Sequence, residues 1–583
     1  MSQFDSHEHP KAREAAACDD TAEPAAYSPQ RRHALKTLVQ GSAAVFSGIA
    51  LEGWTSAASA QTMGSGMGTG MGPGMGMGPG MMMGGMMGSS RSAVSKSGLF
   101  DRAMPIPPQL FGTTDTQGVR TYALNAMAGQ HTELVAGRRT PTWGYNGAYL
   151  GPTIRTPRGK PLRFDIRNGL DQSTTVHWHG AHIPGNVDGG PHNPIAPGDR
   201  TSIAFTLDQP AASLWYHPHP NGRTGPQVYA GLAGFLLVDD GLDARLDMPH
   251  TYGVDDFPVV LQDRRINEAG TLDYMTSMRD MMGMKGDRFL VNGVEQPYLA
   301  VPGQWIRLRV LNGANARAFN LTFSDQYPFH VVGSDAGLLE RPVERTNLVL
   351  ASGERVEIML DLRRMQGKRL VLRSESAGVI PDMNRMPMAA DGYDHGRFDL
   401  LELRVGAPAG QSGKLPARMA EIPTLNADGP HRKIILDGMA MRMMRGMMMG
   451  GGTPEGAASG PGGMRMGVGG RDLFAINGTF MDMKVINERV KLGSTETWTV
   501  TNQGMMAHPF HIHGTSFQIR DRDGAPPPAH ERGWKDVVFV PSGQSVELIA
   551  RFDQPAGDAH PFMYHCHILE HEDNGMMGQF TVA

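Results

Sequence analysis

This chain of 583 residues is poor in three things: it has two cysteines, no basic stripe and no long apolar run. With a formal net charge of −4 and its cations scattered, it is not built to bind nucleic acid. No apolar stretch reaches the roughly 20 residues that a membrane-spanning helix needs. Apolar content of 40% and charged content of 19% suit a soluble globular protein. The length allows about three domains at roughly 150 residues each. The 75 glycines and 41 prolines are unlike a helix-rich protein and fit a chain of many turns.

The scarce cysteines lead to the first functional expectation. Residues 1–60 read as a twin-arginine signal peptide. Arg31 and Arg32 precede the mildly apolar Gly41–Leu51, and Ala58-Ser59-Ala60 forms a small-residue cleavage site before Gln61. Export by the twin-arginine machinery predicts a periplasmic or secreted protein, carried across already folded. Cys18 is lost with the leader, leaving Cys566 alone in the mature chain. It has no partner for an internal disulfide, and a free thiol is a liability in an oxidising compartment. A metal is the expected occupant.

Three segments alternate apolar and polar residues in the manner of half-buried strands: "GKPLRFDIRNG" from Gly159, "GQWIRLRVLNG" from Gly303 and "GSTETWTVTNQG" from Gly493. A second set follows them: "APGDRTSIAFTL" from Ala196, "ASGERVEIMLDL" from Ala351 and "PSGQSVELIARF" from Pro541. Asn312 to Asn502 and Gly353 to Gly543 both span 190 residues, so whole domains repeat. The expected fold is all-β, with three related antiparallel Greek-key domains, each a β-barrel or sandwich, over 96–240, 241–410 and 411–583. Two methionine-rich tracts interrupt this plan. Residues 61–95 are Met/Gly-rich, with ten methionines between Met63 and Met87. An insert at 439–466 in the third domain holds nine. Neither can build a core, and a flexible linker is the plain reading of each.

Histidines carry the chemistry. They cluster as His177-Trp178-His179-Gly180, Tyr216-His217-Pro218-His219, His508-Pro509-Phe510-His511-Ile512-His513-Gly514 and Tyr564-His565-Cys566-His567. One H-x-H is weak evidence. Here H-x-H-G and then Y-H-x-H occur in the first domain and again, in the same order, in the third. Residues i and i+2 of a strand share a face, so each pair presents two imidazoles together. Eight imidazoles related by a pseudo-twofold can hold three copper ions, two with three ligands and one with two. Cys566, between two such histidines, points to the opposite face. With His508, His571 and Met576 it makes the two-imidazole, thiolate and thioether set of a blue-copper electron-transfer site.

These motifs, H-W-H-G, H-P-H, H-P-x-H-x-H and H-C-H-x-x-x-H-x-x-x-x-M, resemble those of the multicopper oxidases over essentially the whole mature chain. "MMAHPFHIHGTSFQI", "GWKDVV" and "YHCHILEHEDNGMMGQFTV" look most like the periplasmic copper-efflux (cuprous) oxidases. The resemblance implies three cupredoxin domains, four copper ions, and one-electron oxidations coupled to reduction of dioxygen to water. It implies type 1 copper at His508, Cys566, His571 and Met576, and type 2 copper at His177 and His511. The type 3 pair falls to His179, His217, His219, His513, His565 and His567. Asp188 and Glu572 match acids that relay protons in related enzymes, and each also suits a hydrogen-bond acceptor holding a ligand imidazole. Asp536 reads as the second kind.

Methionines suggest the reductant. Thioethers are soft, uncharged ligands that favour Cu(I). Met505 and Met506 stand just before His508, and Met439 and Met441 open the insert, so these four are expected to hold substrate copper. Cuprous oxidases of this group have an aspartate before the Met-Met pair. This chain has Gly504, and Asp437 is the nearby acid. A laccase-like oxidase of phenols and aromatic amines, with the insert as a cover, is the rival. A copper-sequestering protein is a third reading, since some relatives of this fold have lost their copper ligands. The expected protein is a monomer acting on dioxygen.

Overall fold

The computed structural model describes residues 100–376, 396–438 and 474–583. The expected signal peptide, the 61–95 segment and the 439–466 insert with Met439 and Met441 lie outside the described residues. No described helix is long and apolar enough to cross a membrane.

All six repeated segments are strands, and they pair as three antiparallel couples. Pro161–Gly169 runs beside Arg200–Thr206, Trp305–Asn312 beside Arg355–Asp361, and Thr495–Asn502 beside Ser545–Arg551. In each couple the first strand pairs on its other edge, in parallel, with an earlier strand: Arg120–Thr132, Asp256–Arg264 or His431–Asp437. The turn leading into the second strand needs a left-handed residue every time. Gly198, Gly353 and Gly543 supply it, with φ of 79°, 83° and 75°.

These strands lie in three of the six described sheets, and none of the six closes into a ring. The barrel expectation is therefore corrected: among the described residues the sheets do not close on themselves. They pack in pairs instead. Phe164 and Leu214 share one core, Leu308 and Leu321 a second, and Val500 and Phe510 a third, each pair drawn from two sheets. Two apolar inner faces satisfy each other's burial face to face, without the edge-to-edge hydrogen bonds that closure demands.

The middle sandwich departs from the alternation in another way. Pro161–Gly169 alternates strictly between exposed and buried, whereas every residue of Trp305–Asn312 is buried. Its polar face meets the first sandwich. Arg309 pairs with Asp256 at 2.7 Å and Asp243 at 3.0 Å, and donates to the Ser213 hydroxyl at 3.1 Å. Arg307 lies 2.7 Å from Asp243 and is also bound by Glu357. Buried charges persist only when paired in this fashion. Ser213 sits on the strand Ala212–His217, so this network braces the strand that ends in His217.

Two short strand pairs position the histidines. His177–His179 lies antiparallel to Ala212–His217, with His177 opposite His217. His508–Ile512 lies antiparallel to Phe562–Cys566, with His511 opposite His565.

Candidate metal centre

The eight clustered histidines of the first and third sandwiches meet in one buried cluster. Seven of the eight rings are aimed by a hydrogen bond from the outer nitrogen, and the eighth, His219, stands beside a carboxylate. Nδ1 of His177 faces the Asp188 carbonyl at 3.0 Å, His217 that of Pro218 at 2.8 Å, His511 that of Asp536 at 2.6 Å and His565 that of Cys566 at 3.0 Å. His513 Nδ1 is 2.8 Å from Asp188 Oδ2, His219 Nδ1 is 3.3 Å from Glu572 Oε1, and His567 Nδ1 is 3.4 Å from Ser352 Oγ. These seven turn Nε2 inward. His179 is reversed: its Nε2 meets Asp536 Oδ1 at 3.0 Å, and its Nδ1 points in, 3.4 Å from His217 Nε2.

The inner nitrogens converge. His219 Nε2 and His513 Nε2 each lie 3.2 Å from His565 Nε2. His177, His179 and His217 form another group whose ligand atoms lie within 4.8 Å of one another, as do His177, His511 and His513. The His567 ring sits 5.0 Å from that of His179 and 5.6 Å from that of His217.

These nitrogens fit a metal. Nε2 of His177, His511 and His567 is buried with no hydrogen-bond partner among the described residues, a loss of about 1–3 kcal/mol for each unless something binds there. Burial, reinforced by neighbouring rings, holds the pKa of His179, His217, His511 and His513 well below the ordinary imidazole value. Burial lowers that of His219 to about 4 and that of His567 to about 3. These six rings are neutral at physiological pH, the form in which imidazole ligates a cation.

A second centre lies on the other side of Cys566. His508 Nδ1 is 3.3 Å from Cys566 Sγ, His571 Nδ1 is 3.6 Å from it, and the two nitrogens are 3.2 Å apart. Met576 is fully buried in the same core as Cys566. Burial raises the thiol pKa strongly, so only a bound cation would keep this sulfur as thiolate. The Ile568 N–H donates to Sγ at 3.4 Å, and Phe474 stacks on the His571 ring at 3.8 Å. Two imidazoles and a thiol converge here, a donor set that suits a soft transition metal.

Carboxylates brace both sides of the cluster. Asp188 Oδ2 spans His513 and His177, at 2.8 and 3.4 Å. Glu572 lies between His219 and His565, at 3.3 and 3.2 Å, and accepts from the Thr224 hydroxyl at 2.6 Å. Asp536 takes the supporting part read for it. It holds His179, its carbonyl holds His511, and Arg355 clamps it at 2.7 and 2.5 Å.

Sequence reasoning gave the middle repeat no part in the site. The structure does: Ser352, Gly353 and Arg355 of the turn "ASGER" all reach the cluster or its support. Trp215, stacked on His217 at 4.1 Å, and Thr224 were missed too. Trp215 stands two residues before His217 and so shares its strand face, which was the available clue. Near the sulfur centre, Met506 is buried, Met505 half-buried and Gly504 buried. Asp437 is occupied elsewhere, accepting from the Gly478 N–H at 2.7 Å.

Comparison with known proteins agrees with this geometry. Two family models described as multicopper oxidase match residues 127–243 and 459–583. The multicopper oxidase mco of Staphylococcus epidermidis is 35% identical over 474 residues, covering 80% of this chain and 90% of its own. The cell division protein FtsP of Escherichia coli is 35% identical over 482 residues, covering 82% and 92%. Among solved structures, CueO of an Ochrobactrum species, a laccase-like multicopper oxidase active on lignin model compounds, superposes with a TM-score of 0.71. It is 37% identical, with 82% of this chain and 100% of that one covered. The chain belongs to the multicopper oxidase family, enzymes that move electrons from a reducing substrate through copper centres to dioxygen.

Proposed function

We propose that this chain is a cuprous oxidase of copper detoxification, exported by the twin-arginine route to the periplasm and working as a monomer. The observation that carries the reading is the pair Met505 and Met506, two soft thioethers separated from His508 only by Ala507. In this assignment His508, Cys566, His571 and Met576 would hold the type 1 copper. His177 and His511 hold type 2. His179, His217 and His567 hold one type 3 ion, and His219, His513 and His565 the other. The four coppers supply one-electron acceptance at the first centre and four-electron reduction of dioxygen at the other three.

What the chain's own residues do follows from their places. Cys566 is bonded through its main chain to His565 and His567, so an electron entering at Sγ has a short covalent path to the cluster. Asp188 Oδ2 and the Glu572 carboxylate fix the rings they touch, and they are the groups at which protons reach the cluster. Thr224 orients Glu572 by donating to it.

The second reading is a laccase-like oxidase. It is favoured by the Ochrobactrum protein, whose lignin-model activity accompanies 37% identity. Oxygen uptake by copper-loaded protein, with Cu(I) or a simple phenol as donor and no added Cu(II), decides between them. Fast uptake on Cu(I) alone supports the cuprous oxidase. Fast uptake on phenol alone makes it a laccase. Sequestration is separated by Cys566→Ser, which would still protect cells against copper if storage were the function.

A further inference from the structure

Residues 474–481 of the third sandwich run against the turn that joins His571 to Met576. The Phe474 N–H reaches the Asn574 carbonyl at 3.5 Å, and the Met481 N–H donates to the Gly575 carbonyl at 3.0 Å. Gly575 is left-handed, with φ of 101°, and a Cβ there would stand 3.3 Å from Phe480 Cβ. A larger residue would be strained and would press the two segments apart. Phe474 is itself buried, and its ring lies on that of His571, with centroids 3.8 Å apart and planes 22° from parallel. The His508 ring, by contrast, meets His571 at 58° and 5.1 Å. Phe474 thus lies flat on one face of an imidazole whose Nδ1 is turned towards Cys566 Sγ, 3.6 Å away.

We propose that Phe474 is a positioning residue for the blue copper, acting through His571 to fix the imidazole plane and to hold the reduction potential up. Its ring does two things. Stacked aromatic rings attract one another beyond the area they bury, so the imidazole resists turning about its own axis. An apolar cover also keeps water from that side of the centre, and a dry, apolar surrounding disfavours the more highly charged Cu(II) relative to Cu(I). The hydrogen bond from Met481 to Gly575 and the Phe480 contact keep the segment, and so the ring, in place. The proposal rests on the assignment of His571 to the type 1 copper and holds for either reducing substrate.

The test reads the centre itself rather than turnover, on full-length, copper-loaded protein. Phe474→Leu keeps an apolar side chain and removes the flat ring. In a redox titration its one-electron equilibrium should shift towards Cu(II) by up to about tenfold, a fall of about 59 mV. The positions of its blue absorption bands should change as well. Phe474→Tyr restores a stacking ring and should return both readouts to wild type. An unchanged potential in Phe474→Leu, or a Tyr variant shifted as far as the Leu variant, overturns the proposal. If Phe474→Leu does not take up copper, crystal structures of loaded wild type, oxidised and reduced, decide instead. Phe474 stacked on His571 in both states supports the proposal, and a ring swung away in either overturns it. Loaded wild type without blue absorption removes the type 1 assignment, and the proposal with it.

Discussion

Gly353 of the middle sandwich touches His567 of the third: a Cβ built on Gly353 would lie 2.8 Å from two carbons of the imidazole ring. The glycine is also left-handed, with φ of 83°. Gly353→Ala therefore meets two obstacles. The backbone strain is about 1–2 kcal/mol, and the ring must yield by several tenths of an ångström. A displacement of this kind beside a reacting centre costs up to about a hundredfold in rate. The expected variant folds, keeps its blue absorption because Cys566 points the other way, and reduces dioxygen at least tenfold more slowly. Oxygen uptake and copper content measured together check this; unimpaired uptake would show that the contact is slack.

The same contact shows where reading the sequence stops. Histidine spacing was legible because a strand's period of two puts i and i+2 on one face whatever surrounds it. The repeated strands were legible for the same reason. Gly353 was not, because the equivalent glycines Gly198 and Gly543 have nothing within 4 Å of where a Cβ would stand. All three are turn glycines, and only one has a second duty. Ser352 and His567 are 215 residues apart, and no local pattern records such a pairing. Open sheets were misjudged as possible barrels since alternation fixes which face is buried, not whether edges join. Arg307 and Arg309 looked solvent-facing by alternation, and a neighbouring sandwich covers them.

Asp188 and Glu572 each touch two imidazoles, which fits either propping or proton transfer. Conservative amides separate the two roles. Asp188→Asn and Glu572→Gln can still accept a hydrogen bond from a ring but cannot carry a proton. If these acids deliver protons, reoxidation of the fully reduced protein by dioxygen slows about 10²–10⁴-fold, with copper content unchanged. We expect this result. A slowing accompanied by copper loss would assign the carboxylates to ring positioning alone.

Gly504 stands where an aspartate is expected, and its surroundings are close. A Cβ there would lie 3.1 Å from Asn502 Oδ1, 3.2 Å from the Gly438 amide nitrogen and 3.2 Å from His508 Nε2. Each neighbour must give slightly, so Gly504→Asp should destabilise the protein by about 1–3 kcal/mol, as mild overpacking does. The added carboxylate beside His508 also favours the oxidised, more positive state of the metal bound there. The expected outcome is a lower reduction potential at the blue site and slower oxidation of Cu(I). A redox titration against wild type measures it. A rise in potential would mean that the side chain turns away from His508.

The buried imidazoles make the copper-free protein sensitive to acid. Burial lowers His508 and His567 to about 3 and His219 to about 4 in the folded chain, against roughly 6.5 when unfolded. Between about pH 6.5 and pH 4 the unfolded chain takes up protons that the folded chain refuses, so folded stability falls as pH falls. Three such groups give a slope approaching about 4 kcal/mol per pH unit at 1.36 kcal/mol each. Cys566 acts on the alkaline side. Its raised folded pKa means that stability falls again as pH rises through the unfolded thiol value near 8.5. Urea midpoints of copper-stripped protein should therefore be highest between about pH 6.5 and 8.5 and drop steeply towards pH 5. Copper competes with protons for the same nitrogens and sulfur, so loading should move the acid limb to lower pH. Equal midpoints at pH 7 and pH 5 in the stripped protein would mean that the rings are open to solvent, and the neutral donor set would no longer be preformed.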